Sequence, residues 1–345
     1  MNSRERVLEA FAHKQPDLVP RWCGASPEFL AKAQLELGVA DEEALRVRFG
    51  DDFRRVFARN TRPEHPLSPG ATSRTLFGVE RSGHGYGMPT SHPLAGASLE
   101  QVHAYAWPDP EWMDVSQIRS EALAWNRQYA ILGGDWSPYW HDAIDLLGME
   151  NVYFMMYDDP EVLDAILQHI VDFYFEVNRR IFEAAADVLD VFFIGNDFGG
   201  QTGPLVSPEA FDRFLRPHLR RLIALGHDYN LKVQLHCCGG FEPLIPAMIR
   251  DGLDGLQAVQ PCCDAMDPAA LKARYGGDIL FNGGIDSHHE LLAGTPDSVR
   301  RATRKILQIM APGGGYIASA SHDYILEETP VANVLAMFDT VAEYK

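Results

Sequence analysis

The sequence predicts an α/β fold: a (β/α)8 TIM barrel with an N-terminal helical and hairpin extension. Three observations lead there. After residue 110, short apolar runs alternate with longer amphipathic ones, the pattern of parallel strands joined by crossover helices. A 345-residue chain with 46% hydrophobic residues suits one barrel-sized core. Polar residues recur where the apolar runs end, which is where a barrel carries its chemistry. No G-x-G-x-x-G follows an early strand, and this counts against an open dinucleotide-binding sheet. The expectation is one domain over 1–345. Residues 1–110 would hold the extension and first barrel elements, and 111–345 the regular βα repeats.

Each element follows from local chemistry. "SRERVLEAFAHK" places Val7, Leu8 and Phe11 on one helical face, with Ser3 as N-cap. "SPEFLAKAQLEL" has Ser26 as cap and Pro27 at the first helical position. "VPRWC" reads as a first strand, and "TLFGVERSGHGYGMP" as a hairpin. The strands expected after residue 110 are "YAILGG" (129–134), "VLDVFFIG" (188–195), "KVQLHC" (232–237), "GLQAVQ" (255–260), "DILFNGG" (278–284) and "GYIASA" (315–320). Helices fill the intervals. In "SPEAFDRFLRPHLRRLIALGHDYN", Ser207 caps and Pro208 starts the helix, while the interior Pro217 predicts a kink.

Composition narrows the partners. The formal net charge is −18 and no run of five basic residues occurs, so nucleic acid and anionic membrane surfaces are not expected partners. The opening segment lacks the apolar core of a signal peptide, and no stretch of eighteen apolar residues appears. Cys23, Cys237, Cys238, Cys262 and Cys263 form an odd set with two adjacent pairs, a poor disulfide framework that predicts a reducing, cytoplasmic setting.

The strand ends carry the candidate site. In "VQLHCCGG", residues two apart on a strand face the same way, so His236 and Cys238 share one direction and Cys237 turns into the helix layer. Imidazole and thiolate are zinc donors, and a catalytic zinc keeps one open position. His322 is the candidate third ligand, with Cys263 behind it. Buried packing of the cysteine is the alternative. "IGNDFGGQTG" offers Asn196 as a hydrogen-bonding group and Asp197 as an acceptor or general base, unless both serve the turn itself. Gln260 ends a further strand, and Asp286 either meets substrate or caps the helix that follows. Arg21 is placed to hold a substrate carboxylate and Trp22 to wall the pocket. In "WSPYW", Trp136, Tyr139 and Trp140 form either an aromatic wall or core packing.

Taken together, "RERVLEAFAHKQPDLVPRW", "FGDDFRRV", "HPLAGASLEQVHAYAWPDP", "HCCGGFEPLIPAMIRDGLDGLQAVQP", "FNGGIDSHHELLAGTPDSVR" and "APGGGYIASASHDYILEETPVANVLAMF" resemble the uroporphyrinogen decarboxylase superfamily, from about residue 3 to 343. The resemblance implies a (β/α)8 barrel with an N-terminal helical extension. Two branches bear on function. The decarboxylase branch acts without cofactor on a tetrapyrrole with several carboxylates, held by an R-Q-A-G-R segment. Here that region reads "RWCGASPEF", with one arginine left. The cobalamin-linked methyltransferase branch carries H-x-C and a later ligand, commonly cysteine, on zinc. His236 and Cys238 match; in the late region "SASHDYILEETP" supplies His322 instead.

The resemblance is nearer to the second branch and implies a zinc-dependent methyltransferase. Its small-molecule substrate would exchange a methyl group with a corrinoid on a partner protein, since no D-x-H-x-x-G motif is present. His236, Cys238 and His322 would hold zinc. Asp197 and His322 would be catalytic, and Asn196, Gln260 and Tyr139 would bond the substrate. A homodimer is also implied. The competing expectation is a metal-free decarboxylase in which Asp197 stabilises a cationic ring and Arg21 holds a carboxylate. A third is a non-catalytic barrel that binds a tetrapyrrole or corrinoid.

Overall fold

A computed structural model describes residues 1–344 other than 64, 84–86 and 126. Seven parallel strands form the main sheet in sequence order: β1 (Phe53–Arg55), β2 (Ala130–Gly133), β3 (Val191–Gly195), β4 (Lys232–His236), β5 (Gly255–Val259), β6 (Leu280–Ile285) and β7 (Tyr316–Ala320). Helices join consecutive strands from β2 onward, among them Pro160–Ala185, Arg216–Asp228, Pro268–Tyr275 and Pro296–Met310. The sheet curls until its edges meet across the segment 20–22. Trp22 N donates to Ala318 O at 3.1 Å, Ala318 N to Pro20 O at 2.8 Å, and Asp52 N to Arg21 O at 2.9 Å. The expected eighth strand is thus a bridging segment rather than a ladder, and no strand longer than that bridge forms at "VPRWC".

The six strands expected after residue 110 all form, with no end moved by more than three residues. β1 was not expected from the sequence. Its "FRR" looks solvent-bound, yet Arg54 is buried, bonding Glu43 through Nε at 2.7 Å and through Nη2 at 2.7 Å. Helix Ser3–Phe11 is capped by Asn2 rather than Ser3, through a capping box with Glu5. Ser26 and Ser207 cap as expected. Ahead of Pro217, residues Phe211–Leu215 widen into a π-turn. Proline has no N–H for the i−4 carbonyl, and the wider turn accommodates the loss. The expected hairpin contains the antiparallel pair Glu80–Ser82 and Met88–Pro89, extended by Ser73–Arg74; its tip at 84–86 lies outside the described residues. Among the described residues, no helix is long and apolar enough to cross a membrane.

Strand alternation sorts the core into two shells. Outward residues such as Phe192, Val233, Leu235 and Phe281 pack under the helices. Inward residues near the N-terminal end, including Phe53, Leu132, Val191 and Leu280, pack with Val7 and Phe11 of the first helix. Further along, the interior turns polar: Gln234, His236, Gln257, Asn282 and Ser319 are all buried. This change of lining places the chemistry at the C-terminal end.

The first helix also locks the seam. Arg6 Nη1 donates to Asp52 Oδ1 at 2.8 Å, and Asp52 Oδ2 accepts the Arg21 N–H at 2.8 Å. Asp52 is 1% exposed. Arg6→Ala strands that carboxylate, and a buried pair broken on one side costs about 3–5 kcal/mol. Urea unfolding of Arg6→Ala is expected to show a loss of that size with an unchanged m-value. A loss under about 1 kcal/mol would mean that Arg6 does not carry the seam.

Candidate functional site

β3 and β4 lie in register with Gly195 opposite His236. The ladder continues one residue further, as Asn196 N donates to His236 O at 3.0 Å. Asn196 itself is fully buried. Its Oδ1 accepts from Trp140 N at 2.9 Å and its Nδ2 donates to Ser137 O at 3.1 Å. It therefore fastens the loop after β2 to the loop after β3, and it does not face substrate.

Two glycine pairs bring the next loops together. Gly240 N donates to Gly200 O at 2.6 Å. A Cβ on Gly199 would lie 2.5 Å from Cys238 O, and one on Gly239 2.4 Å from Gly199 C. Gly239 also has φ of +86°, a region that favours glycine. This backbone-on-backbone contact sets Asp197 against the other loop, where its Oδ1 accepts the Cys238 N–H at 2.6 Å. Cys237 is buried, as expected, and its Sγ accepts the Phe198 N–H at 3.3 Å.

His236 Nδ1 sits 2.5 Å from Oε1 of Gln257, its register partner on β5. An amide oxygen only accepts, so Nδ1 carries the hydrogen and Nε2 presents its lone pair. That nitrogen lies 3.1 Å from Cys238 Sγ and 3.5 Å from Asp197 Oδ1. One donor atom each from Asp197, His236 and Cys238 thus falls within 4.8 Å of the others. His322 stands outside this cluster. Its ring centroid is 6.4 Å from that of His236, and its Nδ1 faces the Tyr324 amide at 3.2 Å. The third donor beside His236 and Cys238 is therefore Asp197, where His322 had been expected.

Local electrostatics fit a site that gathers electron-pair donors. Burial opposes ionisation of Asp197, but the hydrogen bond and charge of His141, the adjacent His236 imidazole and the Cys238 N–H outweigh it. The carboxyl is held well below the usual carboxylate range. Burial likewise opposes the His141 imidazolium, and Asp197 at 3.2 Å overcomes it, raising the pKa. Burial and then the Asp197 charge push the Cys238 thiol well above its ordinary value. Burial lowers His322.

The cluster opens on a cavity of about 560 Å³ lined also by Trp136, His141, Asp142, Asp145, Asp323 and Tyr324. Trp136 occupies space that only Gly195 leaves, since a Cβ there would fall 1.8 Å from the indole. Tyr139 and Trp140 are buried core residues, and the Tyr139 hydroxyl donates to Leu215 O at 3.0 Å. Gln260 and Asp286 line a second cavity of about 460 Å³, which shares His322 and Tyr324 with the first. Gln260 Oε1 accepts the Gly239 N–H at 2.6 Å. Asp286 caps Ser287–Leu292 through the amides of His288 and His289. Arg21 packs its guanidinium against Gly50, and Trp22 is buried against Phe53 and Phe193. Arg21 lines neither of these cavities.

Two residues of the candidate site were not singled out from the sequence. Gln257 acts through cross-strand register, which no single segment displays; a glutamine inside an apolar strand was the available cue. His141 lies on the first turn of the helix after β2, a strand-end position masked by its aromatic neighbours.

The family model described as uroporphyrinogen decarboxylase (URO-D) matches residues 96–344. The chain is 27% identical over 187 residues to a uroporphyrinogen decarboxylase of Syntrophotalea carbinolica, covering 54% of this chain and 50% of that protein. It is 22% identical over 194 residues to the methylcobamide:CoM methyltransferase MtbA of Methanosarcina acetivorans, covering 55% and 52%. A uroporphyrinogen decarboxylase of Acinetobacter baumannii matches at 27% over 262 residues, covering 72% and 68%. The chain thus spans about half the length of the first two relatives. Among solved structures, a methyltransferase from Methanosarcina mazei superposes with a TM-score of 0.70 at 20% identity, covering 99% of each chain; at that identity the likeness shows the fold. The chain belongs to the uroporphyrinogen decarboxylase family, whose members here include decarboxylases and a methyltransferase.

Asp142 gives the site a pH signature. Burial raises its carboxyl from 3.8 to about 7. The folded chain therefore keeps a proton that the unfolded chain has released between those values. Stability falls as pH rises through that window. Relative to Asp142→Asn, the wild type is expected to lose up to about 4 kcal/mol between pH 4 and pH 7. Urea midpoints of both proteins across the range check this; parallel curves would refute it.

Proposed function

We propose that this member of the uroporphyrinogen decarboxylase family is a zinc-dependent methyltransferase. It would move a methyl group between a small methylated substrate or thiol and a corrinoid carried by a partner protein. The observation that carries this reading is the convergence of His236 Nε2, Cys238 Sγ and Asp197 Oδ1 on one point at the cavity floor. The donor set suits zinc in kind, with nitrogen, sulfur and oxygen ligands and room for a fourth. It also suits zinc in spacing, because tetrahedral zinc separates its nitrogen and sulfur donors by about 3.5 Å. Burial beside a carboxylate keeps the Cys238 thiol protonated in the free protein, so zinc binding would release that proton. When bound, zinc would lower the pKa of a substrate thiol or polarise a methylated oxygen.

The chain's own residues prepare that position. Gln257 fixes the His236 tautomer, so that Nε2 faces the cluster. The Cys238 amide and His141 orient the two Asp197 oxygens separately, at 2.6 and 3.2 Å. His141 holds a proton at the cavity edge, where a leaving group would need one. His322 lines the wall as a substrate contact. Trp136 and Tyr324 give the cavity its aromatic sides.

A metal-free decarboxylase is favoured by one observation, the low pKa of Asp197 at a cavity, which would stabilise a cationic ring. The same cavity opposes it. Arg21 lies elsewhere and the Arg81 guanidinium on this wall is paired with Asp145, so a tetrapyrrole with several carboxylates meets no arginine cluster to hold them.

Elemental analysis of the purified protein is expected to give one zinc per chain. His236→Ala and Cys238→Ser should remove it, and Gln257→Leu should weaken zinc affinity about 10–100-fold. Methyl transfer from methylcobalamin to a small thiol should fall in step. A purified protein without zinc, unchanged in stability by chelators, would overturn the assignment.

A further inference from the structure

Four carboxyl groups face the cavity: Asp142, Asp145, Asp197 and Asp323. Three have partners within the protein. The Arg81 guanidinium pairs with Asp145. His141 and the Cys238 amide take the two oxygens of Asp197. Asp142 accepts from the Tyr174 hydroxyl at 2.5 Å.

Asp323 differs. It is 7% exposed. It stands at the wall between this cavity and a neighbouring one of about 340 Å³. Among the described residues its carboxylate has no hydrogen bond or ion pair. Its oxygens are not sealed off but reach the cavity, where a largely buried carboxylate favours an occupant that supplies the counter-charge. Tyr324 lines the same cavity, and aromatic faces attract cations.

We propose that Asp323 receives a cationic nitrogen of the substrate, so that the pocket selects a small ammonium-bearing molecule over an anionic one. The inference rests on reading this cavity as the substrate pocket of the methyl-transfer site. It adds the charge of the molecule that enters. An anionic thiol such as 2-mercaptoethanesulfonate would face the Asp323 carboxylate, while the cations on the same wall, Arg81 and His141, are already paired with Asp145 and Asp197. A 2-aminoethanethiol would complete the ion pair.

Four probes separate the two claims: 2-aminoethanethiol, 2-mercaptoethanesulfonate, 2-aminoethanol and 2-hydroxyethanesulfonate, titrated calorimetrically into the purified full-length protein after incubation with zinc. Within each pair the ammonium compound is expected to bind at least about tenfold more tightly. Asp323→Asn should bring the two to within about threefold, with zinc content unchanged and the melting temperature unchanged or raised. Equal or tighter binding of the sulfonates overturns the inference. So does a preference that survives Asp323→Asn, or no measurable binding of either amine. Loss of zinc in Asp323→Asn would make the residue a metal ligand and likewise overturns it. Failure of the methyl-transfer reading looks different: no zinc is bound and thiols have no advantage over alcohols, while the ammonium preference persists.

Discussion

The Cys238 amide hydrogen bond to Asp197 Oδ1 joins the loop after β3 to the loop after β4. The rest of the site depends on it. A short contact between two loops requires their backbones to touch, and Gly199 and Gly239 permit this by having no side chains to collide. Once the loops meet, Cys238 turns its sulfur toward His236 and Asp197 turns a carboxylate oxygen toward both. Asn196 and Cys237 brace the arrangement from below. Residues that first look like ligand contacts thus prove to be the frame that aims them.

The cavity also shows how little a net charge says about a site. The chain is strongly acidic overall, yet the effect at the cavity is decided one carboxylate at a time. Three of the four wall carboxyls draw on different remedies: an arginine, an imidazole or a retained proton. This matters for a donor cluster. Lone pairs crowded among low-dielectric walls repel one another unless a cation shares them. The neighbouring groups leave that role open at one point, the focus of three unlike atoms.

Much of this organisation was legible in the sequence. Apolar strands reported themselves, because a parallel strand buried on both faces reads as a near-continuous hydrophobic run. H-x-C was legible because two-residue spacing fixes a common direction on a strand. β1 escaped because its arginines are satisfied by distant partners. Arg54 bonds Glu43, and Arg55 lies 5.1 Å over the Trp136 ring, so charged letters concealed buried positions. The third donor escaped for a related reason. Spacing along one strand shows which residues share a direction, but Asp197 reaches the cluster across a loop contact. Asp286 was open between two roles, and the structure shows the amides it caps.

The seam at residues 20–22 bears on how the chain is assembled in time. The first helix can find β2 early, since Arg4 N donates to Gln128 O. Its neighbour Arg21, however, bridges to Ala318, nearly a full chain length away. During synthesis that partner emerges long after Arg21, once the other strands of the sheet have been made. The opening segment must wait while almost every other strand is already paired. Loop closure of this span is slow, and an unsealed barrel leaves the edges of β1 and β7 open to foreign strands. The contact that closes the barrel is therefore also the step at which a nascent chain is most exposed to misassembly.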